Sequence, residues 1–256
     1  MNIKEKLSIV ITTHILPEAP STDIISTTLK SIRDNLVGAI ECKTSIFCDS
    51  DVTKEQYEGY IDNLNEIFNV DVHDTQHIGF LQTGLRDNYI KALLSCDTPY
   101  IFFCEHDWIF LREVSLFNLI EEMDKNNFIN YVRFNKRNNN LPHKDNPEPG
   151  DEIFWETYVE QDERTKIQPL MKTDCIATHP HVLRVDKFKN DWIDISKNTI
   201  PGVTGMIEGN LNSSYKRDIS SLGFHEAHKK WGIYNFGSSH ENKIIQHLDG
   251  SHSGRK

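Results

Sequence analysis

The sequence has few cysteines, a deficit of basic residues and no long apolar run. Its five cysteines are scattered and include no Cys-x-x-Cys pair, so they do not describe a disulfide framework. Lysine and arginine number 28 against 38 aspartates and glutamates, which gives a formal charge of −10. This balance disfavours nucleic acid as a partner, because binders of a phosphate backbone need a basic face.

The remaining composition is that of a globular chain. Of its 256 residues, 38% are hydrophobic and 26% charged, which is enough for one large core. No segment reaches the roughly 20 apolar residues that span a bilayer. Residues 1–6 also lack the order of a secretory signal. We therefore expect a cytoplasmic protein without a transmembrane segment.

In the first half, apolar runs alternate with helical patterns. The β-branched and aromatic content of residues 7–12, 45–48, 70–72 and 100–104 predicts strands. Apolar spacing predicts helices at 21–36, with Ser21 as its cap, at 57–68 and at 81–95. This order predicts a mainly parallel α/β sheet with helices on both faces, whose ligands bind beyond the carboxyl ends of the strands.

The character changes in the second half. A helix at 114–123 and a strand at 131–134 precede a polar stretch, 135–152, that contains three prolines and predicts a surface loop. Shorter, mixed segments follow. We expect a single domain, 1–256, with a decorated carboxyl-terminal half.

Acidic residues follow two of the predicted strands. Asp49 follows the second, and Glu105 and Asp107 follow the most apolar one. Asp49 could bind a ligand, or it could be a simple turn residue. Two acids at a buried rim need compensation, from a basic residue, from backbone donors or from a cation. Mg²⁺ or Mn²⁺ would suit them, because such ions take one or two carboxylates plus ligand phosphates.

The order of these residues resembles a known class of enzymes. A strand ending at Asp49, a helix with Arg86 and Asn88, and an apolar strand ending in Glu105-His106-Asp107 resemble the GT-A class of nucleotide-sugar glycosyltransferases, especially inverting family 2. The resemblance covers residues 1–135 well and the remainder loosely. It implies a nucleotide-diphosphate sugar donor, a glycan or other hydroxyl acceptor, and Mn²⁺ or Mg²⁺.

The resemblance also implies roles for individual residues. Residues 1–135 would bind the nucleotide sugar and 136–256 the acceptor. The nucleotide contacts would be Thr12, Thr13, Asp49, Arg86 and Glu105. Asp107 would ligate the metal. Independently of the resemblance, Trp108 follows the acidic motif directly and would contact the acceptor, because sugar rings stack on aromatic rings; a core or lid residue is the alternative. Two departures are that Asp87 separates Arg86 from Asn88, and that the acidic motif begins with glutamate.

The second half would supply a base and a further metal ligand. The resemblance assigns the base to Glu208, although the family's Glu-Asp pair is missing here. The alternative is that Glu208 is an acid at the start of a helix, where the helix dipole favours it. It assigns the additional metal ligand to His247, with His240 as second choice. A separate zinc site is a further possibility, formed by His179, His181, His225 and His228.

Two other functions share parts of this pattern. A Mg²⁺-dependent nucleotidyltransferase has a related sheet, but residues 12–17 contain neither the glycine nor the basic residue of a triphosphate-binding loop. A non-catalytic carbohydrate-binding protein would keep the sheet without turnover. In the enzyme, the 135–152 loop would close over the donor and exclude water.

Overall fold

The computed structural model describes residues 1–14, 21–49, 58–64, 71–74, 81–136, 139, 159–197, 207–239 and 241–248. Most of the predicted 135–152 loop lies outside these ranges, as does His240. In the described residues no helix combines the length and the apolar character needed to cross a bilayer.

The chain alternates strands and helices through its first half. The strands are β1 Leu7–His14, β2 Leu36–Val37, β3 Thr44–Asp49, β4 Asp71–Asp74, β5 Tyr100–Glu105, β6 Trp108–Phe110, β7 Val114–Ser115, β8 Tyr131–Arg133, β9 Val159–Gln161, β10 Leu170–Thr173, β11 His181–Arg184, β12 Ile233–Phe236 and β13 Ile245–His247. The helices are α1 Asp23–Asn35, α2 at 58–64, α3 Leu81–Ser95, α4 Leu116–Lys125, α5 Val185–Lys187, α6 Ile193–Lys197, α7 Ile207–Leu222 and α8 Phe224–Trp231. A π-helical turn, Phe188–Trp192, joins α5 to α6.

Nine of the described strands form one sheet, in the order β4-β3-β1-β5-β11-β8-β12-β10-β9. The first four are parallel to one another. Strand β11 runs antiparallel between β5 and β8, and β10 runs antiparallel between β12 and β9. The other seven share one direction, which confirms the predicted mainly parallel sheet.

Apolar side chains pack against both faces of this sheet. In β1, Ile9 and Ile11 point to a cluster completed by α1, α2 and α4, whereas Val10 points to a cluster with α3, α7 and α8. Residues 100–104 of β5 are buried throughout, as expected of a strand covered on both sides. Helices on both faces are therefore confirmed.

The helix boundaries differ from the prediction where side chains cap differently. Helix α1 begins at Asp23 and its N-cap is Thr22, not the predicted Ser21, although the Ser21 Oγ accepts from the Asp23 N–H at 3.1 Å. Helix α4 begins at Leu116, two residues later than predicted, because Ser115 caps it by accepting from the Asn118 N–H. Leu36 leaves the helix and pairs in β2.

Candidate active site

The carboxyl ends of β1, β3 and β5 meet at one edge of the sheet. Thr12 is in register with Glu105 across β1 and β5, and His14 is in register with Asp49 across β1 and β3. The predicted residues after the strands therefore share one edge. The side chain of Asp49 lies outside the described part of the structure.

A second, two-stranded sheet adds a late segment of the chain to this edge. Strand β13 pairs antiparallel with β6, with His247 opposite Trp108, and the Leu248 N–H donates to the Asp107 carbonyl at 2.7 Å. As a result, His247 Nε2 lies 2.9 Å from Asp107 Oδ2. The structure thus brings together the two residues expected to hold a metal.

The electrostatics of Asp107 favour the ionised carboxylate. Burial raises its pKa, but the hydrogen bond from His247 and the neighbouring charge of His106 outweigh burial, so its pKa lies below the ordinary value. Its Oδ1 is buried and has no hydrogen-bond partner among the described residues. A buried carboxylate oxygen of this kind is suited to a cation.

The metal-ligand set is small. Within the described ranges, no three His, Cys, Asp or Glu side chains are grouped closely enough to hold an ion. The pair Asp107 and His247 nevertheless fits a cation that takes only one or two protein ligands and completes its coordination with diphosphate oxygens.

Glu105 behaves in the opposite way to Asp107. Burial, followed by the nearby charges of Asp107 and Glu208, raises its pKa to about 8, although Thr178 and His247 partly offset these effects. Its Oε1 is buried without a hydrogen-bond partner in the described part of the chain. Burial and the neighbouring carboxylates therefore favour the neutral form of Glu105, whereas His247 and His106 favour the ionised form of Asp107.

Glu208 lies close to this acidic pair. It is in the first turn of α7, and its Oε2 accepts from the Thr178 N–H at 2.7 Å. Its charge is near enough to raise the pKa of Glu105. The structure thus places the predicted base beside the acidic motif.

Trp108 lies behind the acidic motif. Its side chain is only 4% exposed, and its ring centroid is 4.9 Å from that of His179 and 4.7 Å from that of His247. The indole therefore packs against two imidazoles. Its contact with an acceptor stays a prediction, and its burial does not favour that contact.

The predicted nucleotide residues occupy two elements besides β3 and β5. At the end of β1, Thr13 Oγ1 lies 2.7 Å from the Tyr60 hydroxyl, and Thr12 Oγ1 is buried with no partner in the described ranges. Arg86 lies in α3, and its side chain is outside the described part of the structure. Asn88 in the same helix is 1% exposed, and neither of its amide atoms has a partner among the described residues.

The segment before β11 also contributes to the site. Its Thr178 contacts both Glu208 and Glu105. His181 accepts from the Tyr89 hydroxyl and donates to the His179 carbonyl, each at 2.7 Å. Burial lowers the pKa of His181 to about 3, so this chain of bonds stays neutral.

The proposed zinc set does not assemble. His225 is 63% exposed and lies 3.9 Å from Glu160, and His228 contacts the Ile233 carbonyl at 2.9 Å. His181 is occupied by its bonds to Tyr89 and to the His179 carbonyl. Each of these rings therefore has a structural partner of its own.

The fold is that of GT-A-like glycosyltransferases. The sequence matches no protein-family model and no curated protein. In structure, it is similar to GalNAc-T7 in complex with UDP, GalNAc and Mn²⁺, with a TM-score of 0.54 and 13% identity over 93% of this chain and 44% of that chain. It is also similar to S. aureus TarS 1–349 in complex with UDP, with a TM-score of 0.51 and 10% identity over 93% of this chain and 59% of that chain.

These similarities extend over nearly all of this chain, which spans about half the length of the structures it matches. At such low identity they establish the fold alone. The resemblance read from Asp49, Arg86 and the acidic motif is confirmed at that level.

Proposed function

We propose that this chain is a glycosyltransferase that moves a hexosyl or pentosyl group from a nucleotide-diphosphate sugar to a hydroxyl of a glycan or other acceptor. The observation that carries the proposal is the meeting of Glu105, Asp107, His247 and Glu208 at the carboxyl edge of a GT-A-like sheet. Ligands of parallel α/β sheets bind at this edge. We also propose that 1–256 is one domain, with donor contacts from 1–135 and acceptor contacts from 136–256.

On the donor side, the nucleotide would contact Thr12, Thr13, Asp49, Arg86 and Glu105. Glu105 would contact a ribose hydroxyl or a water beside the metal. Both similar structures contain UDP, which makes UDP the first nucleotide to test on this chain.

Asp107 and His247 would hold Mn²⁺ or Mg²⁺. A divalent cation held there supplies positive charge to the diphosphate as it leaves the sugar. The chain contributes an ionised carboxylate whose pKa is already lowered by His247. His247 keeps its position because β13 is paired with β6.

Glu208 would be the general base. Its carboxylate accepts the proton of the acceptor hydroxyl while that oxygen attacks the anomeric carbon and the bond to the diphosphate breaks. A single displacement of this kind inverts the anomeric configuration and needs no covalent intermediate. The bond from the Thr178 N–H fixes the position of the Glu208 carboxylate.

The test is release of nucleoside diphosphate from a panel of UDP-sugars, with Mn²⁺ or with a chelator. We expect Mn²⁺-dependent release that Asp107→Ala abolishes. The control Asp34→Ala, which removes an exposed acid paired with Lys30 on α1, should keep full activity. Exchange of pyrophosphate into a nucleoside triphosphate would instead indicate a nucleotidyltransferase. No release from any donor would indicate a non-catalytic carbohydrate-binding protein.

A further inference from the structure

The segment between β10 and β11, residues 174–180, is buried although it is neither helix nor strand. We call it the crossover segment. Strands β8 and β12 lie between β10 and β11 in the sheet, so the segment must cross both. Asp174, Cys175, Ile176 and Ala177 are each no more than 4% exposed. Buried backbone groups of this kind need hydrogen-bond partners from elsewhere.

Some partners of the crossover segment come from β8 and the residue after it. The Tyr131 hydroxyl donates to the Ala177 carbonyl. The Phe134 N–H donates to the Pro180 carbonyl at 2.9 Å. These bonds hold the end of the segment that leads into β11.

Further partners come from α7. Side chains four and seven or eight residues after Glu208 share one face of this helix. They bond the crossover segment and the last residue of β10. The pairs are Lys216 with Asp174 at 2.5 Å, Tyr215 with the Thr173 carbonyl at 3.0 Å, Asn212 with Ile176, and Glu208 with the Thr178 N–H at 2.7 Å.

Asn212 bonds both backbone groups of one residue in the segment. Its Oδ1 accepts from the Ile176 N–H at 2.7 Å, and its Nδ2 donates to the Ile176 carbonyl at 2.5 Å. One amide side chain therefore satisfies both backbone groups of a residue, as a neighbouring strand would. Ile176 is two residues before Thr178, so fixing the first limits the position of the second.

We infer that Asn212 is a positioning residue for the sugar transfer. By clamping Ile176, it fixes the crossover segment so that the Thr178 N–H holds the Glu208 carboxylate and the Thr178 side chain reaches Glu105. This inference rests on the proposed function for its effect on turnover. The clamp itself is a property of the fold.

Three variants test the kinetic consequence. Asn212→Ala removes the clamp, and Tyr131→Phe removes the bond to the Ala177 carbonyl by an independent route. Tyr215→Phe is the matched control, since it removes an equivalent hydroxyl bond at the distant end, on Thr173. We expect kcat to fall about tenfold or more in Asn212→Ala, and also to fall in Tyr131→Phe. The reason is that small displacements of a reacting group slow the reaction strongly. The donor KM should stay within about threefold, and the control should keep its kcat.

Amide hydrogen exchange tests the clamp without turnover. In Asn212→Ala, the Thr178 amide should exchange about tenfold faster or more, although its partner Glu208 is unchanged. In Tyr215→Phe its protection should persist. If Asn212→Ala does not fold, Tyr131→Phe must show the same faster exchange at Thr178.

The outcomes separate the two proposals. Unchanged Thr178 exchange and kcat in Asn212→Ala, or equal losses in Tyr215→Phe, would overturn the positioning role. Faster exchange at Thr178 with unchanged kcat would also overturn it. If the wild type releases no nucleoside diphosphate from any donor, the proposed function fails, while the exchange measurement still decides whether the clamp exists.

Discussion

Replacing Glu105 with glutamine should change how stability depends on pH. The glutamine side chain has nearly the shape of a protonated glutamate and cannot ionise. In the wild type, burial and the charges of Asp107 and Glu208 raise the pKa of Glu105 to about 8. The variant therefore keeps the packing of the neutral form at every pH.

The direction follows from the two pKa values. An unfolded glutamate has a pKa of about 4.3, so between that pH and about 8 the folded protein binds more protons than the unfolded chain. The stabilisation from Glu105 is fully present below the pKa of the unfolded state and is lost as the pH rises to the pKa of the folded state. The free energy of unfolding falls by at most about 1.4 kcal/mol per pH unit in this range. From pH 5 to pH 7.5 the wild type should lose roughly 2 to 3 kcal/mol relative to Glu105→Gln.

Urea unfolding at several pH values, with a chelator present, measures this difference. The two proteins should have similar free energies of unfolding near pH 4, and Glu105→Gln should be the more stable near pH 8. Glu121→Gln, an exposed acid beside Lys125, serves as the control and should follow the wild type. Parallel pH profiles for wild type and Glu105→Gln would refute the reasoning.

Three further predictions concern the same edge of the sheet. His247→Ala should raise the pKa of Asp107 and weaken Mn²⁺-dependent UDP binding about tenfold, and unchanged affinity in calorimetry would exclude His247 as a ligand. Glu208→Gln should lower kcat about a hundredfold or more with nearly unchanged donor binding; full turnover would assign the base elsewhere. Tyr60→Phe should lower the free energy of unfolding by about 1 kcal/mol, because the buried bond to Thr13 is lost; an unchanged urea midpoint would show that this bond is not stabilising.

The first half of the fold could be predicted because its signals are local. Helix α3 matches its predicted bounds, 81–95, and β5 was evident from its apolar run. The carboxyl-terminal half could not be predicted in the same way. Strands such as β12 and β13 are only three or four residues long, and they depend on pairing with distant strands.

The same distinction applies to the site. The closeness of Thr12 and Glu105 follows from parallel strands that end at one edge. The approach of His247 to Asp107 depends on the pairing of β13 with β6, which no local pattern encodes; only the family resemblance suggested it. The contribution of Asn212 could not be predicted, because its partner is the backbone of a segment brought near it by tertiary packing.

The most direct test of a cation-assisted nucleotide site is calorimetry of UDP binding with Mn²⁺ and with a chelator, for wild type and Asp107→Asn. We predict that Mn²⁺ strengthens UDP binding to the wild type. Asp107→Asn loses the charged ligand. In the presence of Mn²⁺, its affinity for UDP should therefore be lower than that of the wild type by more than about tenfold. Equal affinities with and without Mn²⁺, or an unaffected variant, would contradict the assignment of Asp107 as the metal-holding residue.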